Sequence, residues 1–139
     1  MSGRVASKFG TVMLIDDNAI DLFIACKLMK KCNFSSNIIQ FKAAQEALDF
    51  LVDNQHKPEL LPEIIFVDIY MPVKSGFDFL EEFEVLLPSV KQHCRVYVIS
   101  STIDEHDIQR ANSNINVTGF EVKSITIDFL ESIERMKQH

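Results

Sequence analysis

Three short runs of strongly apolar residues punctuate the chain: Val12-Met13-Leu14-Ile15, Ile64-Ile65-Phe66-Val67 and Val96-Tyr97-Val98-Ile99. An unbroken run of four, with no polar alternation, is what a strand needs when both faces of its sheet are covered. Two weaker segments, 38–41 and 117–122, extend the series to five strands. A helical pattern follows each one. After the first strand, Asp17 or Asn18 can cap a helix whose Ile20, Phe23, Ile24 and Leu28 are expected on its apolar side. Ala44, Ala47, Leu48 and Leu51 recur at i, i+3, i+4, i+7 and predict a helix over 43–54. Pro58 and Pro62 bracket a loop, and a third helix is expected over 76–87, ending near Pro88. Thr102-Ile103-Asp104-Glu105 has the form of a capping box for a polar fourth helix. Ser124 can cap the last helix, with Ile125, Phe129, Leu130, Ile133 and Met136 on its apolar face.

Five strand–helix alternations predict an α/β fold of the (βα)5 kind: a doubly wound, five-stranded parallel sheet with helices on both faces. A chain of 139 residues, 47% hydrophobic and 24% charged, is long enough to build one such core. No repeat or internal linker divides it, so residues 11–139 are expected as one domain preceded by a short extension, 1–10. The net charge of -6 argues against nucleic acid as a partner, because non-specific binding rests on neutralising phosphates with Lys and Arg. Cys26, Cys32 and Cys94 have no CxxC spacing and read as buried thiols. His56, His93, His106 and His139 are widely spaced, without metal-ligand or triad spacing, and read as surface residues. The apolar stretch after the N-terminal segment is too short for a signal peptide, and nothing approaches a membrane span; a cytoplasmic protein is expected.

In a parallel sheet all C-terminal strand ends lie along one edge, and this is where the polar residues fall. The first strand runs into Asp16-Asp17, the third ends on Asp68, the fourth on Ser100-Ser101 and the fifth at Lys123. Strand-end carboxylates are common singly; three together repel one another unless a cation sits among them. A hard divalent ion with oxygen ligands suits that set, Mg²⁺ first and Mn²⁺ as a substitute. An aspartate beside a metal, a hydroxyl (Ser100) and an ammonium (Lys123) is equipped to attack a phosphoryl group.

With these residues in place, the chain resembles the response-regulator receiver domain of two-component signalling. The likeness is carried by LIDDN at 14–18, VDIYMP at 67–72 with Gly76 following, VISS at 98–101 and GFEVK at 119–123, and it covers roughly 11–137. The resemblance implies a flavodoxin-like fold with Asp68 as phosphoacceptor, Asp17 as direct metal ligand, and Asp16 helping to hold the ion. Tyr70 would give the metal its backbone carbonyl, Ser100 and Phe120 would act as switch residues, and Lys123 would pair with the phosphate. Tyr70 and Thr102, flanking the site, would tune the lifetime of the acyl phosphate.

The implied donors are a sensor histidine kinase or a histidine phosphotransfer protein. The readout is a downstream protein bound on the face of the fourth helix, fifth strand and last helix. The protein is then a monomer or a phosphorylation-dependent dimer. Two positions depart from the family pattern. Ser124 stands where a proline usually follows the lysine, which bears on whether the Lys123–Ser124 peptide is cis, and the aromatic switch position is Phe120 rather than Tyr. Only 16 residues follow Lys123, so a stand-alone switch that catalyses only its own phosphorylation and slow dephosphorylation is expected. The competing readings are a phosphorylation-independent pseudo-receiver, which the two departures favour, and a haloacid-dehalogenase-like phosphohydrolase. The latter wants an Asp two residues after the nucleophile, where this chain has Tyr70.

Overall fold

A computed structural model describes residues 7–101, 104–122 and 124–137; Thr102 and Lys123, and with it the Lys123–Ser124 peptide, lie outside the described residues. The elements run β1 (Phe9–Ile15), α1 (Ala19–Lys31), β2 (Ser35–Phe41), α2 (Ala44–Asp53), a 3-10 turn (Pro58–Leu60), β3 (Ile64–Asp68), α3 (Gly76–Glu84), α4 (Pro88–His93), β4 (Arg95–Ser100), α5 (Glu105–Asn112), β5 (Val117–Val122) and α6 (Ile127–Lys137). The five strands are all parallel, in the order β2-β1-β3-β4-β5. The doubly wound, flavodoxin-like reading therefore holds. The order reverses at β1, so the crevice beyond the ends of β1 and β3 is the switch point of the topology.

The apolar runs feed two cores because successive strand residues face opposite ways. Val12, Leu14, Ile64, Phe66 and Tyr97 pack against Leu22, Ala25, Cys26 and Met29 of α1 and Leu130 and Ile133 of α6. Met13, Ile15, Ile65, Val67, Val96 and Val98 pack on the opposite face under α2, α3, Val90 of α4 and Ala111 of α5. Both faces of the central strands are thus dry, which is why those strands carry no polar alternation.

Four local expectations are corrected. In α1 the stripe Ile20, Phe23, Ile24 is exposed at 69%, 61% and 45%, and the buried stripe is Leu22, Ala25, Cys26 and Met29. Both stripes satisfy a helical period. The sheet covers the stripe that includes the small residues Ala25 and Cys26. The third helix ends at Glu84, and Pro88 begins a separate helix, α4, rather than only terminating its predecessor. Proline at the first helical position loses no hydrogen bond and has φ preset for the helix.

The helix expected fourth is α5, which starts at Glu105 with Asp104 as N-cap, its side chain accepting from the His106 N–H, two residues later than the expected cap at Thr102. The last helix is capped by Thr126, whose Oγ1 accepts from the Phe129 N–H at 3.1 Å, not by Ser124; Ile125 is buried ahead of it and Met136 is exposed. Of the cysteines, Cys26 and Cys94 are buried and Cys32 is half-buried; all three are free thiols.

Candidate phosphoacceptor and metal site

Asp16 and Asp17 leave the end of β1, and Asp68 is the last residue of β3. Oxygen atoms of the three carboxylates lie within 4.8 Å of one another, Asp16 and Asp68 half-buried and Asp17 exposed. Their placement has local causes. Asp16 is fastened to β2 by its own N–H donating to the Phe41 carbonyl at 3.1 Å, and its Oδ1 accepts from the Asn18 N–H at 2.9 Å. Asn18 caps α1 through the N–H groups of Ile20 and Asp21, fixing the turn that carries both acids.

Electrostatics follow from that crowding. Burial, then the charges of Asp16 and Asp17, push the Asp68 carboxyl up to about 7, against smaller opposition from the Tyr70 and Ile69 N–H groups. Burial likewise raises Asp16 to about 6, with Asp21 and Asp17 adding to it and the Asn18 N–H opposing. Partly buried acids that repel each other form a site whose charge a divalent cation relieves, and carboxylate oxygens are the donors Mg²⁺ and Mn²⁺ prefer.

The loop leaving Asp68 is held at its base. Ile69 N–H donates to Ile99 O at 3.3 Å, and Gly76 N–H donates to Ile69 O at 2.7 Å. A Cβ on residue 76 would lie 2.5 Å from the Asp68 carbonyl oxygen, so only glycine lets α3 start this close to the end of β3. Ser75 and Asp78 then form a reciprocal capping box on α3. Ile69 and Met71 are buried while Tyr70 between them is 54% exposed, its hydroxyl donating to Asp107 Oδ2 on α5.

Ser100 ends β4 and is buried, 1% exposed, one register position beyond the Asp68–Ile99 pair and opposite Val122. Phe120, opposite Val98, is half-buried against the α2–α5 core. Thr102 and Lys123 lie outside the described residues. A cleft of about 360 Å³ opens beside the carboxylates, walled by Leu22, Ile24, Phe66 and Ile125, with Asp16, Asp21 and Asp68 at its polar side. Ser101 and Ser124 also line it.

Asp21 and Asp107 are the neighbours that sequence reasoning did not single out; Ser101 was placed at this edge without a role. Asp21 was legible as the residue one turn into α1 from the DD pair. Asp107 was not, because its contact depends on how α5 sits.

A parallel sheet of this order with three acids at its switch point defines a doubly wound α/β domain with an acidic site, and the chain belongs to the response regulator receiver domain family, whose model matches residues 12–134. Receiver domains are signalling modules of two-component systems rather than conventional enzymes; they bind Mg²⁺ or Mn²⁺ at acidic residues and interact with histidine kinases and downstream proteins.

Among curated proteins, the chain is 27% identical over 116 residues to the two-component response regulator ORR1 of Oryza sativa subsp. japonica, covering 82% of this chain. It spans about half the length, 49%, of that relative. Among solved structures, a response regulator receiver protein from Dyadobacter fermentans is 29% identical with a TM-score of 0.81 over 91% of this chain and 96% of that one. A two-component response regulator from Cytophaga hutchinsonii superposes with a TM-score of 0.85 at 23% identity, covering 92% and 96%. The Mn²⁺-bound form of the response regulator Rcp1 matches with a TM-score of 0.70 at 20% identity, covering 92% and 91%. Among the described residues, no helix is long and apolar enough to cross a membrane.

Proposed function

We propose that residues 11–139 act as a phosphorylation-controlled switch in the cytoplasm, with Asp68 as phosphoacceptor. The observation that carries this reading is the convergence of Asp16, Asp17 and Asp68 within 4.8 Å at the topological switch point. Asp16, Asp17, Asp68 and the Tyr70 backbone carbonyl would hold Mg²⁺, with Mn²⁺ able to replace it; one of the matched structures is itself a Mn²⁺-bound form. When bound, the ion neutralises the crowded carboxylates and draws charge from the phosphoryl oxygens.

An Asp68 carboxylate oxygen attacks phosphorus as the P–N bond of a phosphohistidine breaks; the electron pair of that bond stays on the ring nitrogen, and the imidazole leaves neutral because its other nitrogen already carries a proton. The donor is a histidine kinase or a histidine phosphotransfer protein. Lys123 and the Ser100 hydroxyl serve the transferred group, and Tyr70 and Thr102 tune its lifetime. Ser100 and Phe120 relay the change to a protein-binding face formed by α5, β5 and α6, as a monomer or through a phosphorylation-dependent dimer.

The exposed stripe of α1 adds a docking face for the donor. Ile24 and Asp21 share a cleft wall with Asp68, and Ile20 and Phe23 continue the apolar surface away from it, with Lys27 stacked 5.3 Å over the Phe23 ring.

Incubation with Mg²⁺ and acetyl phosphate, read by intact mass, is expected to add one phosphoryl group to the protein and none to Asp68→Asn. Labelling that persists in Asp68→Asn would remove the assignment.

A further inference from the structure

Among α5's eight residues only Ala111 is fully buried, and besides its packing on β5 the helix makes polar contacts at its surface. Three of these reach the same place. The Tyr70 hydroxyl donates to Asp107 Oδ2, the Arg110 guanidinium lies 4.1 Å over the Phe77 ring, and Arg110 Nη2 is 3.7 Å from Glu81 Oε1. Asp107 and Arg110 stand three residues apart and therefore share one helix face. Their partners are not arbitrary surface groups. Tyr70 is two residues past Asp68, and Phe77 follows Gly76, whose missing Cβ accommodates the Asp68 carbonyl.

The mechanics follow from the packing. Ile69 and Met71 are anchored in the core on either side of Tyr70, so this segment behaves as a stiff piece that carries the tyrosine with it. Rearrangement of the Asp68–Met71 backbone around an ion or a phosphoryl group moves the Tyr70 ring. The hydroxyl then stays with Asp107 only if α5 follows. The bond from the Tyr70 hydroxyl to the Asp107 carboxylate is charge-assisted, and of the three contacts it is the one that reaches the loop itself, Phe77 and Glu81 lying on α3.

We propose that Asp107 is a positioning residue: through the Tyr70 hydroxyl it fastens α5 to the phosphoacceptor loop, so that the seating of α5 and the occupancy of the acidic site form one coupled equilibrium. Coupling to the site rests on the phosphoacceptor reading above; the fastening itself does not.

Hydrogen exchange of the full chain tests both parts. In the absence of ligands, the amides of Ile108 to Asn112 are expected to exchange about 3- to 10-fold faster in Tyr70→Phe and in Asp107→Ala than in the wild type, with the α2 amides unchanged. The double variant should be no faster than either single one, as for two halves of one contact. Asp107→Asn, which keeps an oxygen acceptor, should stay close to wild type.

With Mg²⁺ and beryllofluoride added, wild-type α5 exchange should shift by more than about twofold and that of Tyr70→Phe by less. Unchanged α5 exchange in Tyr70→Phe, multiplying effects in the double variant, or an equal beryllofluoride response in both proteins would each overturn the proposal. So would a wild type that responds around Asp68 but not in α5. No response anywhere in the wild type would instead count against the phosphoacceptor reading, while the ligand-free comparison still decides the fastening.

Discussion

Val73 has φ 69° and a fully exposed side chain, and the Lys74 N–H closes a three-residue turn around it onto the Pro72 carbonyl at 2.8 Å. A β-branched residue is strained in this left-handed region, and no packing of its side chain offsets that strain. The loop is held from both sides instead, by buried Met71 before it and by the Lys74–Glu82 ion pair and the Ser75 cap after it. Val73→Asn is expected to raise stability by about 1 kcal/mol in chemical denaturation, since asparagine tolerates the conformation.

Asp68 carries strain of another kind. Its carboxyl ionises near pH 7 in the fold, against 3.8 for the group's ordinary value. The folded state therefore keeps a proton that the unfolded chain releases, and stability without a divalent ion falls as pH rises from about 4 to 7. Asp68→Asn removes that penalty. Its gain over the wild type in chelator should be absent near pH 4 and reach about 1–2 kcal/mol above pH 7; the partly solvated carboxylate keeps it below the full linkage value. A gain equal at both pH values would contradict the assignment of the penalty to this charge.

At the scale of elements, α1 is the helix whose two faces compete. Its sequence, AIDLFIACKLMKK, carries apolar residues nearly all round. The sheet covers Leu22, Ala25, Cys26 and Met29, leaving Ile20, Phe23 and Ile24 facing outward beside the acidic site, with Lys27, Lys30 and Lys42 around a shallow adjoining hollow. Three large apolar side chains grouped this way form a surface suited to covering by a partner. Phe23→Glu should change stability by no more than about 0.5 kcal/mol, because the ring is exposed. Phosphotransfer from a phosphohistidine protein should fall about tenfold or more, and the rate with acetyl phosphate should not change. Equal loss with both donors would place the effect in the site rather than in docking.

For the molecule as a whole, the acidic site is a local weakness that a bound divalent cation would relieve. Two cores lie on the two faces of the sheet, and the carboxylates sit at its C-terminal edge where β1 and β3 diverge to their helices. A cation that binds only the folded site stabilises the entire domain. At ten times its dissociation constant, Mg²⁺ should add about 1.4 kcal/mol, seen as a rise in Tm of several degrees that chelation removes and Asp17→Ala largely abolishes. An unchanged Tm in saturating Mg²⁺ would tell against a metal site here.

The central strands were legible because a buried parallel strand must be apolar on both faces, and the polar residues flanking each four-residue run left it too short for a helix. The acids were legible for a related reason: parallel strands all end at one edge, so Asp16, Asp17 and Asp68 had to share that edge, and the pairing of β1 with β3 then made them neighbours. Other features depended on distances between elements, which no periodicity records. The choice of α1 face was settled by which stripe meets the sheet and α6, since both stripes satisfy a helical period. The start of α4 at Pro88 and the shift of the last cap from Ser124 to Thr126 depended on how connections of fixed length meet the strands on either side. The bond from Tyr70 to Asp107 joins residues 37 apart in the chain and exists only because α5 lies beside the β3–α3 loop. The chain alone thus determined which residues line the sheet and which reach its edge, since those are properties of each strand taken singly. Tertiary structure decided which surfaces remain open and what fastens the loops, because these depend on elements meeting in three dimensions.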